Sequence, residues 1–404
     1  MGSWRKACGR FGAVALVVVA VAACSSSGPT WPLLKSAVSS IASPRPIVSG
    51  LPVVVPSPSG GSPTQAVPSA GRATAAAVTV DQITADYTYK DELITPIAHL
   101  YGTFLDDFVI VTIKNANPSA VKVVVTSQIN GYTDQATDTV NVDANGTQEV
   151  RQNPRLTTAA IDGLNSQHQA DLHVTVAYLE SGQPRTVLDQ TSETLITSRD
   201  DFPWSIKGFT QQENYDLIAA MVTPTDPSVE GLIRDAANFD PNHVMTSGYD
   251  TADDSNGTVW QRLADVWQSE TADFNLTYIS TPITFASGSS QRIRLPGEVL
   301  DTSSGNCIEL TLTYASVVEA LGMQPAIIII PGHAYVAVRL DDTGNSYYFI
   351  ETTMIGQATF KEAATEGSTE WTDAQPHVAA GETDYGWVDV ASARQDGIIP
   401  IPWR

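Results

Sequence analysis

Residues 305–338 read GNCIELTLTYASVVEALGMQPAIIIIPGHAYVAV. Up to Gly322 the apolar side chains cover nearly every helical face, and Glu309 and Glu319 are the only charges, which predicts a helix buried on all sides. The run Ala326–Ile330 predicts a buried strand, and His333–Val338 predicts a second strand with alternating polarity. This stretch therefore favours an α+β fold in which a central helix packs on an antiparallel sheet.

Three polar residues lie at the ends of these elements in an order that suits nucleophilic catalysis. Cys307 lies in the first helical turn, where unpaired backbone N–H groups and the helix dipole stabilise a thiolate. His333 begins one strand, and Glu351 ends the next, Tyr347–Glu351. A cysteine nucleophile needs a base, and the base needs an acceptor that fixes its ring. We expect His333 and Glu351 to lie roughly opposite each other in an antiparallel pair, with the register left open.

The residues before this stretch carry helical patterns. Asp226 followed by Pro227 is a typical helix start. The predicted elements are the helices Tyr215–Val222, Val229–Phe239 and Val259–Phe274 and the strand Leu276–Ile279. Together with the central helix and its sheet they define one catalytic domain, which we place at 201–404.

Between 81 and 200 the pattern has period two. β-branched runs are separated by strong turn signals such as the segment 115–119. The predicted strands are Phe108–Ile113, Val121–Thr126, Asp138–Val142, Asp171–Tyr178 and Thr186–Ile196. Several short strands at this spacing predict an antiparallel β-sandwich of immunoglobulin-like type. We expect this domain to act as a spacer or an interaction module.

The N-terminus carries an export signal. Three basic residues precede the apolar run Phe11–Ala22, which is short for a membrane span and typical of a signal peptide. The run ends in Val-Ala-Ala-Cys24, which resembles a bacterial lipobox. This resemblance implies cleavage after residue 23, a lipid on Cys24 and a location on the extracytoplasmic side of the cell membrane. The alternative is an ordinary secretory signal in which Cys24 is incidental.

Residues 24–80 form the predicted anchor and tether. From 25 to 80 the chain has no Asp or Glu and nine prolines, among many Ser, Gly and Ala. Such a composition buries too little apolar surface to offset the entropy of ordering.

Composition excludes several function classes. The formal charge is −22, which argues against nucleic-acid binding. Three cysteines at 8, 24 and 307 cannot build a disulfide framework, and six scattered histidines lack metal-ligand spacing, so we expect no metal. The sequence has no phosphate-loop or dinucleotide glycine motif, and we expect no cofactor.

Four stretches of the second half resemble a bacterial branch of the transglutaminase-like (papain-like cysteine) superfamily. They are Gln291–Leu300, Gly305–Leu310, Pro331–Val336 and Ile350–Thr353. The resemblance covers roughly 205–404 and maps the superfamily triad onto Cys307, His333 and Glu351. The third member is usually Asp, so Glu351 is one methylene longer. The superfamily also supplies an oxyanion donor upstream of the cysteine, for which Gln291 is the candidate.

The resemblance implies acyl transfer through a thioester on Cys307. The expected substrate is a protein or peptide amide, with cell-wall peptides as one candidate, which the enzyme hydrolyses or crosslinks. Two other readings stay open. The domain is then either an inactive scaffold, or an NlpC-type wall peptidase, although the Asp-Cys-Ser-Gly motif typical of those enzymes is absent.

The lipobox gives a first prediction. Replacing Cys24 with Ala removes the only atom that can accept the lipid, so the variant should move from the membrane to the soluble fraction. Fractionation followed by immunodetection measures this, with Ser25→Ala as the matched control. Continued membrane retention of the Cys24→Ala variant would count against the anchor.

Overall fold

The computed structural model describes residues 71–281, 290–343 and 345–402. The predicted signal peptide (1–23), Cys24 and the tether as far as residue 70 lie outside the described residues. No helix in the described part of the chain combines the length and the apolar character that a membrane crossing requires.

Ten strands and one short helix make up the first part of the fold. The strands are β1 (Arg72–Thr74), β2 (Val78–Val80), β3 (Ile83–Lys90), β4 (Glu92–Leu93), β5 (Val109–Asn115), β6 (Val121–Ile129), β7 (Ala136–Val142), β8 (Thr147–Gln152), β9 (His168–Glu180) and β10 (Gln183–Ile196), and the helix is α1 (Thr158–Gly163). One sheet has the order β1-β3-β5-β8 with β2 also paired to β3, and the other has the order β4-β10-β9-β6-β7.

The two sheets share one apolar core. Alternate residues of β3 and β5 are buried, and so are alternate residues of β6 and β9, as period-two strands require. Polar contacts also join the sheets, since Tyr87 Oη lies 2.7 Å from Ser192 Oγ and Gln152 Nε2 donates to the carbonyl of Val125 (3.1 Å). The five strands predicted between 108 and 196 all correspond to observed strands.

The sheet begins earlier than the composition predicted. β1 and β2 lie inside the segment 24–80 that we assigned to the tether, and both pair with β3 in the registers Arg72↔Lys90 and Val78↔Ala85. These strands are partly or fully exposed, so small and polar residues suffice where the neighbouring strand supplies the apolar face. Strand pairing therefore begins by Arg72, nine residues before the start that we predicted for the folded region.

The second part of the fold alternates helices with short strands. The helices are α2 (Gln211–Asp216), α3 (Pro227–Ala236), α4 (Thr258–Ala272), α5 (Pro296–Thr302), α6 (Cys307–Ala320), α7 (Phe360–Ala380) and α8 (Val390–Gln395). The strands are β11 (Asp201–Pro203), β12 (Thr277–Tyr278), β13 (Ser290–Arg292), β14 (Ser304–Gly305), β15 (Pro325–Ile330), β16 (His333–Arg339), β17 (Tyr347–Ile350) and β18 (Gly386–Asp389). The predicted mixture of helices and antiparallel sheets is confirmed.

α6 is the central helix of this part. It contacts β15 and β16 on one side and α3 and α5 on others, and its residues from Cys307 to Val318 are all buried. The antiparallel sheet behind it has the order β17-β16-β15-β18. Gly322, at φ 70°, follows the helix and allows the left-handed turn that ends it.

One helical prediction needs correction, and one long helix was not predicted. The segment Tyr215–Val222 is not one α-helix, because α2 ends at Asp216 and continues as the 3₁₀ turn Leu217–Met221. α7 was not predicted at all, since Gly367 and Pro376 interrupt its helical pattern.

The two parts are joined by hydrogen bonds and by apolar packing. The ring of His99, after β4, hydrogen-bonds the carbonyl of Ile399 through Nε2 (2.9 Å), and Arg292 Nε donates to Asp200 Oδ2 (3.1 Å) in the connection before β11. A continuous set of buried apolar residues runs from Ile83 in the first sheet to Ile401 near the end of the described chain.

A buried acid on α4 makes stability depend on pH. Glu270 is 3 % exposed, and burial raises its pKa from 4.5 to about 8. Because the pKa of Glu270 is higher in the folded state than in the unfolded state, its protonated form stabilises the fold. This stabilisation is complete below about pH 4.5 and is lost as the pH rises through about 8. At about 1.36 kcal/mol per pKa unit the loss is at most about 5 kcal/mol.

Glu270→Gln stays neutral at every pH and should remove this loss. The free energy of unfolding in urea, compared at about pH 5 and about pH 9, should fall less in this variant than in the wild type. Glu230→Gln, at an exposed position of α3, is the control. Its free energy of unfolding should fall between the two pH values by as much as that of the wild type. A fall as large as that of the wild type in Glu270→Gln would contradict the prediction.

Candidate active site

Cys307 occupies the first position of α6, as the sequence predicted. Asn306 caps the helix with its side-chain oxygen, which accepts from the Glu309 N–H (3.1 Å), and Glu309 Oε2 accepts from the Asn306 N–H (3.0 Å). This capping box leaves the first-turn N–H groups near Cys307 directed along the helix axis. Cys307 is the one cysteine among the described residues, is not in a disulfide and has no exposed surface.

The negative charge of Glu309 is neutralised locally. Arg294 donates to both carboxylate oxygens of Glu309, at 3.0 Å from Nε and 2.8 Å from Nη2. A bidentate guanidinium pair of this kind is strong and directional. Glu309 therefore caps the helix without placing an uncompensated negative charge beside the Cys307 thiol.

His333, the first residue of β16, joins the thiol and the carboxylate. Its Nε2 donates to Glu351 Oε2 at 2.6 Å, and the Cys307 thiol lies near enough to the imidazole to contribute to the raised pKa of His333. The structure thus brings together the three residues that the sequence selected, from the start of α6, the start of β16 and the end of β17.

The pKa of His333 follows from these contacts. Burial lowers it, but the hydrogen bonds to Cys307 and Glu351 and the negative charges on both outweigh burial and raise the pKa to about 10. Burial raises the pKa of Glu351, yet the hydrogen bond from His333 and its positive charge are stronger and hold that pKa below its ordinary value. The arrangement favours a protonated His333 paired with an ionised Glu351.

Glu351 is fixed by its own chain neighbours. Its Oε1 accepts from the backbone N–H of Thr353 (2.8 Å) and from the Thr353 hydroxyl. Its backbone N–H donates to the carbonyl of Ala363 on α7 (3.0 Å). Both ends of the residue are therefore held, and Oε2 is left to face His333.

The structure gives the hairpin register that the sequence left open. Val336 lies opposite Ile350, so continuing the pairing would put Tyr335 opposite Glu351, and His333 is displaced diagonally from it. The 2.6 Å contact forms nevertheless because Glu reaches farther than Asp would.

Thr311 was missed by sequence reasoning although it ties the three site elements together. It lies one turn after Cys307 on α6, and its hydroxyl donates to the carbonyl of Ala334 (3.2 Å). The same hydroxyl lies 3.1 Å from Thr352 Oγ1. Ala334 follows His333 and Thr352 follows Glu351, so one buried side chain aligns all three. Its spacing from Cys307 on one helical face was the available signal.

Gln291 lies in β13 and is not among the described hydrogen-bond partners of Cys307, His333 or Glu351. Its Oε1 accepts from Trp204 Nε1 (3.2 Å), which orients the amide. Its Nε2 is buried without a hydrogen-bond partner in the described part of the chain. Gln291 is thus a fixed donor group whose N–H has no acceptor there, while its role as an oxyanion donor stays a prediction.

A second carboxylate, Glu370 on α7, also lies at this site and was not predicted. Its Oε2 is 3.8 Å from His333 Nε2. Among the described residues, His333, Glu351 and Glu370 are the group of potential ligand atoms close enough to share a cation, with all of them within 4.8 Å of one another. Burial and the charge of Glu351 raise the pKa of Glu370, and the charge of His333 opposes this rise.

Comparisons with known proteins identify no family. No protein-family model matches the chain, and no curated protein matches it. A protein from Archaeoglobus fulgidus is similar over 31 % of this chain and 94 % of its own, at 9 % identity and a TM-score of 0.19. The exo-chitosanase CsxA of Amycolatopsis orientalis is similar over 52 % of this chain and 22 % of its own, at 14 % identity and a TM-score of 0.16. Scores this low carry no argument about fold or activity.

The diagonal contact predicts the effect of shortening Glu351. In Glu351→Asp the carboxylate retreats by about 1.5 Å, one C–C bond, and should no longer reach His333. The pKa of His333 should then fall by at least about one unit, as measured by a pH titration of its ring nitrogens by NMR. Asp389→Glu on β18, a similar one-methylene change in the same sheet, is the control. A wild-type titration in Glu351→Asp would contradict the geometric argument.

Proposed function

We propose that residues 201–404 form a transglutaminase-like domain that catalyses acyl transfer at amide bonds through Cys307. The observation that carries this proposal is the contact of one imidazole, His333, with both a helix-terminal thiol and a buried carboxylate. Each of the three groups comes from a different element, and the arrangement meets the requirements of an activated nucleophile.

The proposed reaction has two balanced halves. The Cys307 thiolate attacks the carbonyl carbon of an amide, a C–S bond forms, and the C–N bond breaks as the His333 imidazolium gives its proton to the leaving amine. A thioester on Cys307 remains. His333, now neutral, takes a proton from water or from an acceptor amine, whose O or N attacks the thioester and restores the thiolate. Glu351 stabilises the imidazolium and keeps its ring in place.

Two donors support the oxyanion that forms during attack. The backbone N–H of Cys307, in the first turn of α6, has no acceptor within the helix. The Gln291 amide, oriented by Trp204 and with a buried N–H that lacks a partner in the described part of the chain, is the proposed second donor.

The setting of this chemistry is proposed from the N-terminal sequence. A lipid on Cys24 would hold the protein on the outer side of the cell membrane, with the two-sheet region as an immunoglobulin-like spacer. Protein or peptide amides of the envelope are the proposed substrates, whether water or an amine is the acceptor.

A second candidate function is a scaffold without catalysis, and the burial of the thiol favours it. Cys307 has no exposed surface, whereas the side chain of His333 is 22 % exposed. A substrate approaching past His333 reaches the sulfur only if the side chains over Cys307 move.

Alkylation of Cys307 separates the two candidates. We would treat the full chain with iodoacetamide at about pH 5.5 and about pH 9 and quantify modified Cys307 by peptide mass mapping. An ordinary thiol with a pKa of ~8.5 is only about 0.1 % thiolate at about pH 5.5, so its rate ratio between the two pH values is about 0.001. A thiolate paired with His333 should give a ratio above about 0.1. Slow access to the buried sulfur affects both rates and cancels in the ratio.

The controls decide the outcome. His333→Ala should lower the ratio at least about tenfold, while His377→Ala, a histidine on α7 that pairs with Glu382, should leave it unchanged. A thiol that is unreactive at both pH values, or a ratio near that of an ordinary thiol, would support the scaffold. If amide turnover is then detected, its persistence in Cys307→Ala would refute the mechanism.

A further inference from the structure

α7 brings Glu370 to the candidate site by an unusually close approach to β17. A Cβ atom at Gly367 would lie 2.7 Å from the backbone N of Ile350 and 2.7 Å from the carbonyl carbon of Phe349, so only glycine fits there. One turn earlier, the Ala363 carbonyl accepts from the Glu351 N–H (3.0 Å). α7 is thus seated directly on the backbone that carries Glu351, and Glu370 follows Gly367 by three residues.

Glu370 meets both members of the His333–Glu351 pair. Its Oε2 is buried without a hydrogen-bond partner among the described residues and lies 3.8 Å from His333 Nε2, and its carboxylate is within 4.8 Å of the Glu351 carboxylate. Two carboxylates can share a hydrogen bond only if one of them carries a proton. Because Glu351 is the carboxylate that accepts from His333, the proton belongs on Glu370.

The surrounding charges agree with this assignment. Burial, the charge of Glu351 and their mutual hydrogen bond raise the pKa of Glu370 to about 8, and the His333 charge opposes this rise. The titratable groups that interact with this cluster are Cys307 on α6, His333 and Tyr335 on β16, Glu351 after β17, and Glu366 and Asp373 on α7. Only His333 among them can carry a positive charge. The surroundings therefore disfavour a second ionised carboxylate.

We propose that Glu370 is a positioning residue, whose acid O–H donates to Glu351 and fixes that carboxylate against His333. Glu370 does not touch a substrate in this role and acts through Glu351. Its loss would leave the carboxylate of Glu351 held by Thr353 alone, with Oε2 less firmly fixed against the imidazole. Its importance for catalysis rests on the proposed function, whereas its effect on the His333–Glu351 hydrogen bond does not.

The ring N–H of His333 reports on this role directly. A proton in a hydrogen bond of 2.6 Å gives a downfield NMR resonance that exchanges slowly with water. We would follow this resonance in the full chain with EDTA present, between about pH 6 and about pH 10, and assign it by its absence in His333→Gln. In the wild type it should persist at neutral pH and broaden as Glu370 ionises near pH 8.

Three variants test the proposal. Glu370→Gln keeps a neutral donor, so the resonance should remain and should no longer broaden near pH 8. Glu370→Ala removes the donor, and exchange at neutral pH should accelerate at least about tenfold. Glu366→Gln, an exposed carboxylate one turn away on α7, makes the same change of charge and should keep wild-type exchange at neutral pH. Its resonance should still broaden, at a slightly lower pH, because the Glu366 charge contributes to the raised pKa of Glu370.

Either of two results would overturn the proposal: wild-type exchange in a folded Glu370→Ala, or broadening near pH 8 that survives in Glu370→Gln. If Glu370→Ala fails to fold, the Glu370→Gln result alone decides. These measurements need no substrate, so they stand even if alkylation shows that Cys307 is no nucleophile. In that case Glu370 still positions Glu351, and only the catalytic consequence is lost.

Discussion

The hydroxyl of Thr311 connects the three elements on which the candidate site depends. It donates to the carbonyl beside His333 and lies 3.1 Å from the hydroxyl of Thr352, beside Glu351. Because Thr311 belongs to the same buried helix as Cys307, one side chain aligns Cys307, His333 and Glu351. A buried hydroxyl without partners is costly, so the helix is stable in this register only while both partners are in place. The packing of α6 and the geometry of the site therefore depend on the same hydrogen bonds.

The second requirement is compensation of charge inside the fold. Glu309 is needed to cap α6, and Arg294 neutralises it on both oxygens. His333 then serves the thiol and Glu351, and its raised pKa follows from holding one proton between two acidic groups. The region thus keeps ionisable groups buried because each negative charge faces either a cation or a proton, which is the condition for burying them at all.

The sequence could predict the elements whose side chains repeat regularly. The β-branched runs of β5 and β6 and the apolar faces of α6 identified these elements, and helix-start chemistry selected Cys307. What it could not predict depends on contacts between distant segments. Gly367 reads as a helix breaker, yet it is required where α7 meets the backbone of β17. The hairpin register, the burial of Cys307 and the arrival of Glu370 are likewise consequences of packing that no local pattern encodes.

The register and the choice of Glu at position 351 explain each other. With Val336 opposite Ile350, the carboxylate must cross a diagonal to reach His333, and the extra methylene of Glu spans it. A longer side chain also has more rotamers to lose, so it needs more restraint than Asp would. The structure supplies that restraint from Thr353 at one oxygen and from α7 at the backbone, and the proposed donor Glu370 would add to it. The close packing of α7 on β17 therefore provides part of the restraint that the longer side chain of Glu351 requires.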